Sequence, residues 1–189
     1  MSSQRIRPIE TRYKGYRFRS RLEARWAVFF DALWVEWEYE KEGYDLGDAG
    51  CYLPDFWIHY KAGPWPDAGE WIEIKPCEPD TVERRKMACL VEMTGHRGYI
   101  FCGCPGEGSH QIEMYQHHRA GKPKSVPLAT GLTFFEENCH AGTEFEHVGL
   151  ISVGFGQRPF LGGDLPPGSL AKAFQAARSV RFEHGESQP

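Results

Sequence analysis

Hydrophobic positions along the chain change period several times, and each change marks an element. Over residues 20–34, SRLEARWAVFFDALW, the side chains Leu22, Trp26, Phe29 and Leu33 recur at helical spacing and form one apolar stripe, with Ser20 placed to cap it. Residues 36–46, EWEYEKEGYDL, alternate charged and aromatic side chains and predict a strand. A second strand is predicted over 52–59 and a third over 70–75. The Gly- and Pro-rich turn KAGPWPDAG (61–69) between them predicts an antiparallel meander, which Pro76 and Pro79 stop. Residues 80–94, DTVERRKMACLVEMT, predict a second helix that buries Val82, Met87, Leu90 and Val91 and ends at Gly95. GYIFC (98–102) predicts a fourth strand, so the order is α-β-β-β-α-β.

Beyond residue 103 the pattern weakens. CPGEGS (104–109) reads as a loop, and QIEMYQHHR (111–119) suits a short strand or a helix. Strands are predicted over 132–137 and 147–155, a loop over 158–168, and an amphipathic helix over 169–182 with Leu170, Ala173, Phe174, Ala177 and Val180 on one side. The chain therefore divides into a basic N-terminal arm (1–19), an α/β core (20–103) and a C-terminal extension (104–189).

Two of the predicted strands carry charge where a core strand should not. YLPDFWI (52–58) contains Asp55, and WIEIK (71–75) contains Glu73 and Lys75. Buried charges persist when they are paired or bound to metal. Strand side chains alternate faces, so Glu73 and Lys75 share one face with Trp71, while Ile72 and Ile74 take the other. If the two strands pair, Asp55 comes beside Glu73. Two carboxylates brought together repel unless a cation lies between them, and Mg²⁺ suits such oxygen ligands. A Glu-x-Lys alone is common on half-exposed strands; the proline-aspartate in the preceding strand makes the pair more specific.

Composition adds three points. Hydrophobic residues make up 41% of the 189, enough for a packed core, and no apolar run approaches the ~20 residues that span a bilayer. The N-terminus lacks the apolar stretch of a secretory signal, so an intracellular, cytoplasmic protein with reduced thiols at its six cysteines is expected. The net charge of −4 is unevenly spread. Residues 1–26 hold eight Lys and Arg against Glu10 and Glu23, interleaved with Tyr13, Tyr16 and Phe18, which suits a phosphate-gripping arm or a solvated terminus.

IETRYKGYRFRSRLEARWAVFFDAL, then YLPDFWI, then GEWIEIKP, resembles the PD-(D/E)XK nuclease superfamily, closest to small phage and transposon-type members. The likeness covers about residues 8–103. It implies a restriction-endonuclease-like core, a mixed sheet flanked by helices, and hydrolysis of DNA phosphodiesters in a phage-infected or bacterial cell. Pro54 and Asp55 match the proline-aspartate, Glu73 and Lys75 the (D/E)-x-K, and Glu23 the early-helix glutamate. The resemblance implies that Glu23, Asp55 and Glu73 hold Mg²⁺, with Mn²⁺ able to substitute, and that Lys75 assists the attacking water. Ser20 and Glu23 also fit a capping box, a competing role for Glu23. Arg17, Arg19, Arg21 and Arg25 would face DNA, and Arg84, Arg85 and Lys86 would either contact its backbone or form an exposed helix face. Pro76 stands where such nucleases often have glycine. Double-strand cutting with one site per chain would favour a homodimer.

Other constellations carry less. Cys102 and Cys104, His117 and His118, and Cys139 and His140 lack the spacing of a zinc knuckle, and GCPGEG (103–108) lacks the Lys-Ser/Thr of a P-loop. His110, His117 and His118 read as loop residues. The reading from a different class is a catalytically silent DNA-binding or protein-interaction module on the same fold; an RNA-directed nuclease is a third.

Overall fold

The structure, a computed structural model, describes residues 9–59, 69–106, 112–116, 133–138, 146–152, 156–159 and 165–182. Most of the predicted 61–69 turn, the first eight residues, His110, His117, His118, Cys139 and His140 lie outside the described residues.

The chain begins with a hairpin, β1 (Thr11–Tyr13) and β2 (Tyr16–Phe18), closed by Lys14 and Gly15 at positive φ. Helix α1 (Arg21–Ala32) follows. Then come β3 (Trp37–Tyr39), the short pair β4 (Tyr44–Asp45) and β5 (Cys51–Tyr52) around a 3-10 turn, β6 (Phe56–His59) and β7 (Gly69–Lys75). Helix α2 (Thr81–Thr94) leads to β8 (Arg97–Cys102) and β9 (Ile112–Tyr115). The strands β10 (Thr133–Asn138), β11 (Glu146–Ser152) and β12 (Gly156–Pro159) form a separate antiparallel sheet, and α3 (Ser169–Ser179) closes the described chain.

The fold is thus mixed α/β. Its central sheet has the order β3-β6-β7-β8-β9, antiparallel except for the β7–β8 pair. A parallel pair needs a crossover, and α2 supplies it. Period 2 sorts the strand residues cleanly. Phe56, Ile58, Ile72, Ile74, Tyr99 and Phe101 face α1 and α3, while Trp57, Trp71, Ile100 and Cys102 face α2 with Met87, Leu90 and Val91. Gly98 lets α2 lie close, since an added Cβ would fall 2.2 Å from Met87 Sδ. Val82, expected in that core, is 58% exposed, because it sits in the first turn of α2, beyond the sheet's end.

Three further differences have local causes. The strand predicted over 36–46 stops at Tyr39, because Glu40 takes φ +48, a conformation no strand continues through. The strand predicted over 52–59 splits at Leu53 and Pro54: Cys51–Tyr52 pairs back with β4, and only Phe56–His59 joins the central sheet. Residues 11–18 of the basic arm form the hairpin, where Phe18 is fully buried against Tyr39 and Phe56. The predicted C-terminal helix belongs to the same core as α1: Leu170, Ala173 and Ala177 are buried, and Phe174 stacks on Phe29 with ring centroids 5.0 Å apart. Among the described residues no helix is long and apolar enough to cross a membrane.

Candidate functional site

The ladder between β6 and β7 ends at the Phe56–Ile72 pair. Continued by one step, the register sets Asp55 opposite Glu73, as the alternation expected. By two steps it sets Pro54, which has no N–H, opposite Ile74. There the Ile74 amide donates instead to Asp55 Oδ2 at 2.7 Å. The Asp55 carbonyl accepts from the Glu40 amide at 2.9 Å, so this one residue ties the ends of three neighbouring strands together. Asp55 is 3% exposed and Glu73 6%.

Glu73 lies on the α2 face of β7. Its Oε1 meets Lys75 Nζ at 2.8 Å, while its Oε2 is buried with no hydrogen-bond partner among the described residues. Lys75 Nζ also meets Glu83 Oε1, on α2, at 3.0 Å. Arg19, just before α1, makes a similar bridge. Its Nη2 donates to Asp55 Oδ1 at 2.8 Å and its Nε meets Glu40 Oε1 at 2.6 Å. Each of the two cations therefore joins one deeply buried carboxylate to one nearer the surface.

The charges are not balanced. Burial pushes the Asp55 carboxyl well above the usual range; Glu73 and then Glu23 add to this, and the Ile74 amide and Arg19 only partly offset it. Burial also raises Glu73, against the pull of Lys75 and of the neighbouring Tyr52 hydroxyl. Burial disfavours the Lys75 ammonium, but Glu73 and Glu83 outweigh it and hold its pKa above that of an ordinary lysine.

Glu23 is placed at the start of α1 and is buried. Ser20 Oγ accepts from its amide at 3.2 Å, as a cap should. Its carboxylate does not reach back to the Ser20 amide, as a capping box would require. It accepts instead from the Arg19 amide at 3.1 Å, from Ser20 Oγ at 2.6 Å and from the Tyr39 hydroxyl at 2.5 Å. Both oxygens thus have donors. Glu23 acts on Asp55 through its charge, and among the described residues no three His, Cys, Asp or Glu side chains converge as a ready-made metal cluster.

A cleft of ≈ 690 Å³ opens over Glu73 and Lys75, between the β4–β5 pair and the first turn of α2. Its cationic lining residues are Arg19, Lys75 and Lys86, and its anionic ones Asp45, Glu73, Asp80 and Glu83. Such a wall does not attract a phosphate by itself. It would do so once a divalent cation reversed the balance.

The other arginines expected at DNA have varied settings. Arg17 is exposed on β2, and its Nε donates to Glu10 at 3.0 Å. Arg21 is half-buried and its Nε has no partner among the described residues. Arg25 Nη1 lies 3.4 Å from Cys104 Sγ. Arg84 is committed to the buried Glu113, at 2.7 Å through Nη2 and 3.0 Å through Nε, and to Glu78 at 2.8 Å. Arg85 is exposed. The five described cysteines, Cys51, Cys77, Cys89, Cys102 and Cys104, are free thiols. Sequence reasoning missed Glu40, Tyr39, Tyr52 and Glu83. Only Glu83 had a local signal, the Asp-x-x-Glu of a capping box at Asp80, and that signal announces the cap and not the lysine.

No protein-family model, curated protein or solved structure matches this chain.

Proposed function

We propose that the chain is a divalent-cation-dependent nuclease that hydrolyses DNA phosphodiester bonds in the cleft above Glu73 and Lys75. The observation that carries this reading is Glu73 itself: a buried carboxylate with one unpartnered oxygen, opposite a second buried carboxylate and beside a lysine. A structural salt bridge has no use for the second acid or for the orphaned oxygen, since both raise the cost of burial. A hard cation relieves both, so the residues fit Mg²⁺.

Asp55 and Glu73 would hold the ion, and Glu23 would add buried negative charge from behind. When bound, Mg²⁺ supplies Lewis-acid polarisation of a phosphoryl oxygen and lowers the pKa of a coordinated water. The chain's own residues do the rest. Lys75 donates hydrogen bonds at the attacking water or a phosphate oxygen and stabilises the negative charge that develops there. Arg19 fixes Asp55 Oδ1, and the Ile74 amide fixes Oδ2, so the carboxylate cannot rotate away from its task. Lys86, bonded to the Cys51 carbonyl at 3.0 Å, also lines the cleft and offers a further phosphate contact there. The mixed α/β core with its five-stranded sheet is compatible with this assignment, as is the resemblance of YLPDFWI and WIEIK to the nuclease motif.

The test is a panel of linear, branched and single-stranded DNA, with single-stranded RNA beside it, incubated with Mg²⁺, Mn²⁺ or EDTA. Metal-dependent nicking that is lost in Glu73→Ala supports the reading. Salt-sensitive retention of DNA without cleavage in any metal would reject it in favour of a binding module.

A further inference from the structure

We infer that Glu83 is a positioning residue that keeps the Lys75 ammonium over the cleft when a cation occupies Glu73. The inference rests on the nuclease reading above. Lys75 is held from two sides, by Glu73 at 2.8 Å and by Glu83 at 3.0 Å. Only the first of these is a candidate metal ligand. A divalent ion on Glu73 consumes the charge that attracts Lys75 and repels the ammonium in its own right. A lysine on a flexible four-carbon stem would then swing towards solvent unless a second anion held it.

Glu83 is built for that duty. Its Oε2 accepts the Asp80 amide at 2.9 Å, and its own amide donates to Asp80 Oδ1 at 2.8 Å, so the capping box locks its rotamer. That leaves Oε1 aimed at Lys75. The helix behind it is fixed to the sheet by Arg84 on Glu113 and by Met87 over Gly98. Arg19 has the same design on the other buried carboxylate, with Glu40 as its outer anchor. The repetition argues for a requirement of the site: each cation near the ion needs an anion that the ion does not take.

The test compares Glu83→Ala and Glu83→Gln with the wild type in the full chain. Glutamine keeps one acceptor oxygen for the Asp80 amide, turns an NH₂ towards Lys75 and carries no charge. With Mg²⁺, Glu83→Ala should lower kcat about tenfold and leave KM within about twofold, the pattern of a misplaced group. Glu83→Gln should lose as much kcat at an unchanged Tm, because the cap survives and the anion does not. The second readout needs no turnover. The ¹⁵N-ammonium NMR signal of Lys75, assigned by its absence in Lys75→Arg, should survive Mg²⁺ addition in the wild type and vanish with Mg²⁺ in Glu83→Ala. An unchanged kcat in Glu83→Ala, a rise confined to KM, or loss of the wild-type signal on adding Mg²⁺ would overturn the positioning role while leaving the nuclease reading intact. A wild type that cuts no nucleic acid in either metal overturns both.

Discussion

Asp55 Oδ2 accepts the amide of Ile74 at 2.7 Å, just past the end of the ladder between their strands. This bond turns a proline-aspartate and a Glu-x-Lys, separated in the sequence, into a single construction. It holds the Asp55 carboxylate against the backbone between Glu73 and Lys75. The bond uses a peptide group that pairing would otherwise have to satisfy, so it positions the acid at no expense to the sheet.

Lys75→Ala should leave the fold and DNA retention nearly unchanged while lowering kcat by about 10² or more, the usual range for a lost proton-transfer or charge-stabilising group. Circular dichroism, filter binding and plasmid nicking measure the three quantities. If Lys75→Ala nicks plasmid as well as the wild type does, the lysine has no catalytic role.

Glu73→Gln should raise the Tm of the metal-free protein while abolishing cleavage. Glutamine removes one of two facing buried charges and can still accept from Lys75. About 1 kcal/mol recovered would correspond to roughly 2–4 °C in a chain of this size. Added Mg²⁺ should raise the wild-type Tm and not that of Glu73→Gln. A Tm that falls in the variant without metal would mean that the ionised Glu73 is a net stabiliser.

The same charges set a pH dependence. Asp55 and Glu73 both have folded-state pKa values raised above their unfolded values. As pH rises past the unfolded carboxylate range near 4, the unfolded chain gives up protons that the folded chain still holds. The stability of the metal-free protein should therefore fall with rising pH from about 4 up to the raised folded values, and level off above them. Denaturant titrations in EDTA across that window measure the slope. In Asp55→Asn and Glu73→Gln it should be shallower.

Arg84 and Arg85 are neighbours with opposite expected effects. Arg84→Ala leaves Glu113, which is 5% exposed, with only the Tyr115 hydroxyl for a partner among the described residues, and should cost about 2 kcal/mol or more, read as a Tm lower by several degrees. Arg85→Ala should leave Tm alone, since that side chain is exposed. If Arg85 meets a phosphate, its loss should reduce the salt dependence of DNA binding by about one counterion.

Much of this was legible in the sequence, for reasons that can be named. The spans of α1, β7, α2 and β8 follow from apolar periods with clear caps and breakers at Ser20, Pro76, Asp80 and Gly95. The Asp55–Glu73 juxtaposition followed from alternation once β6 and β7 were paired. The hairpin β1–β2 was hidden, because its three-residue strands are dominated by Arg12, Tyr13, Tyr16 and Arg17 and bury only Thr11 and Phe18. Glu40 and Glu83 were hidden for another reason. Their partners, Arg19 and Lys75, lie on other elements, and no local spacing encodes a contact made by folding. The role of α3 was hidden too, since an amphipathic stripe announces a buried face without saying what covers it.

That last contact has a consequence for the order of synthesis. Phe29 and its neighbours on α1 are covered by Phe174, Ala173 and Ala177 of α3, and Tyr13 of the first hairpin meets Phe182 edge-on with ring centroids 6.3 Å apart. On the ribosome, Glu23, Asp55, Glu73 and Lys75 all emerge long before the residues that seal the helix bearing Glu23. A nascent chain carries every cleft side chain while one of its two hydrophobic cores still lies open. Docking of α3 is then the step that closes the core beneath α1, the helix that carries Glu23.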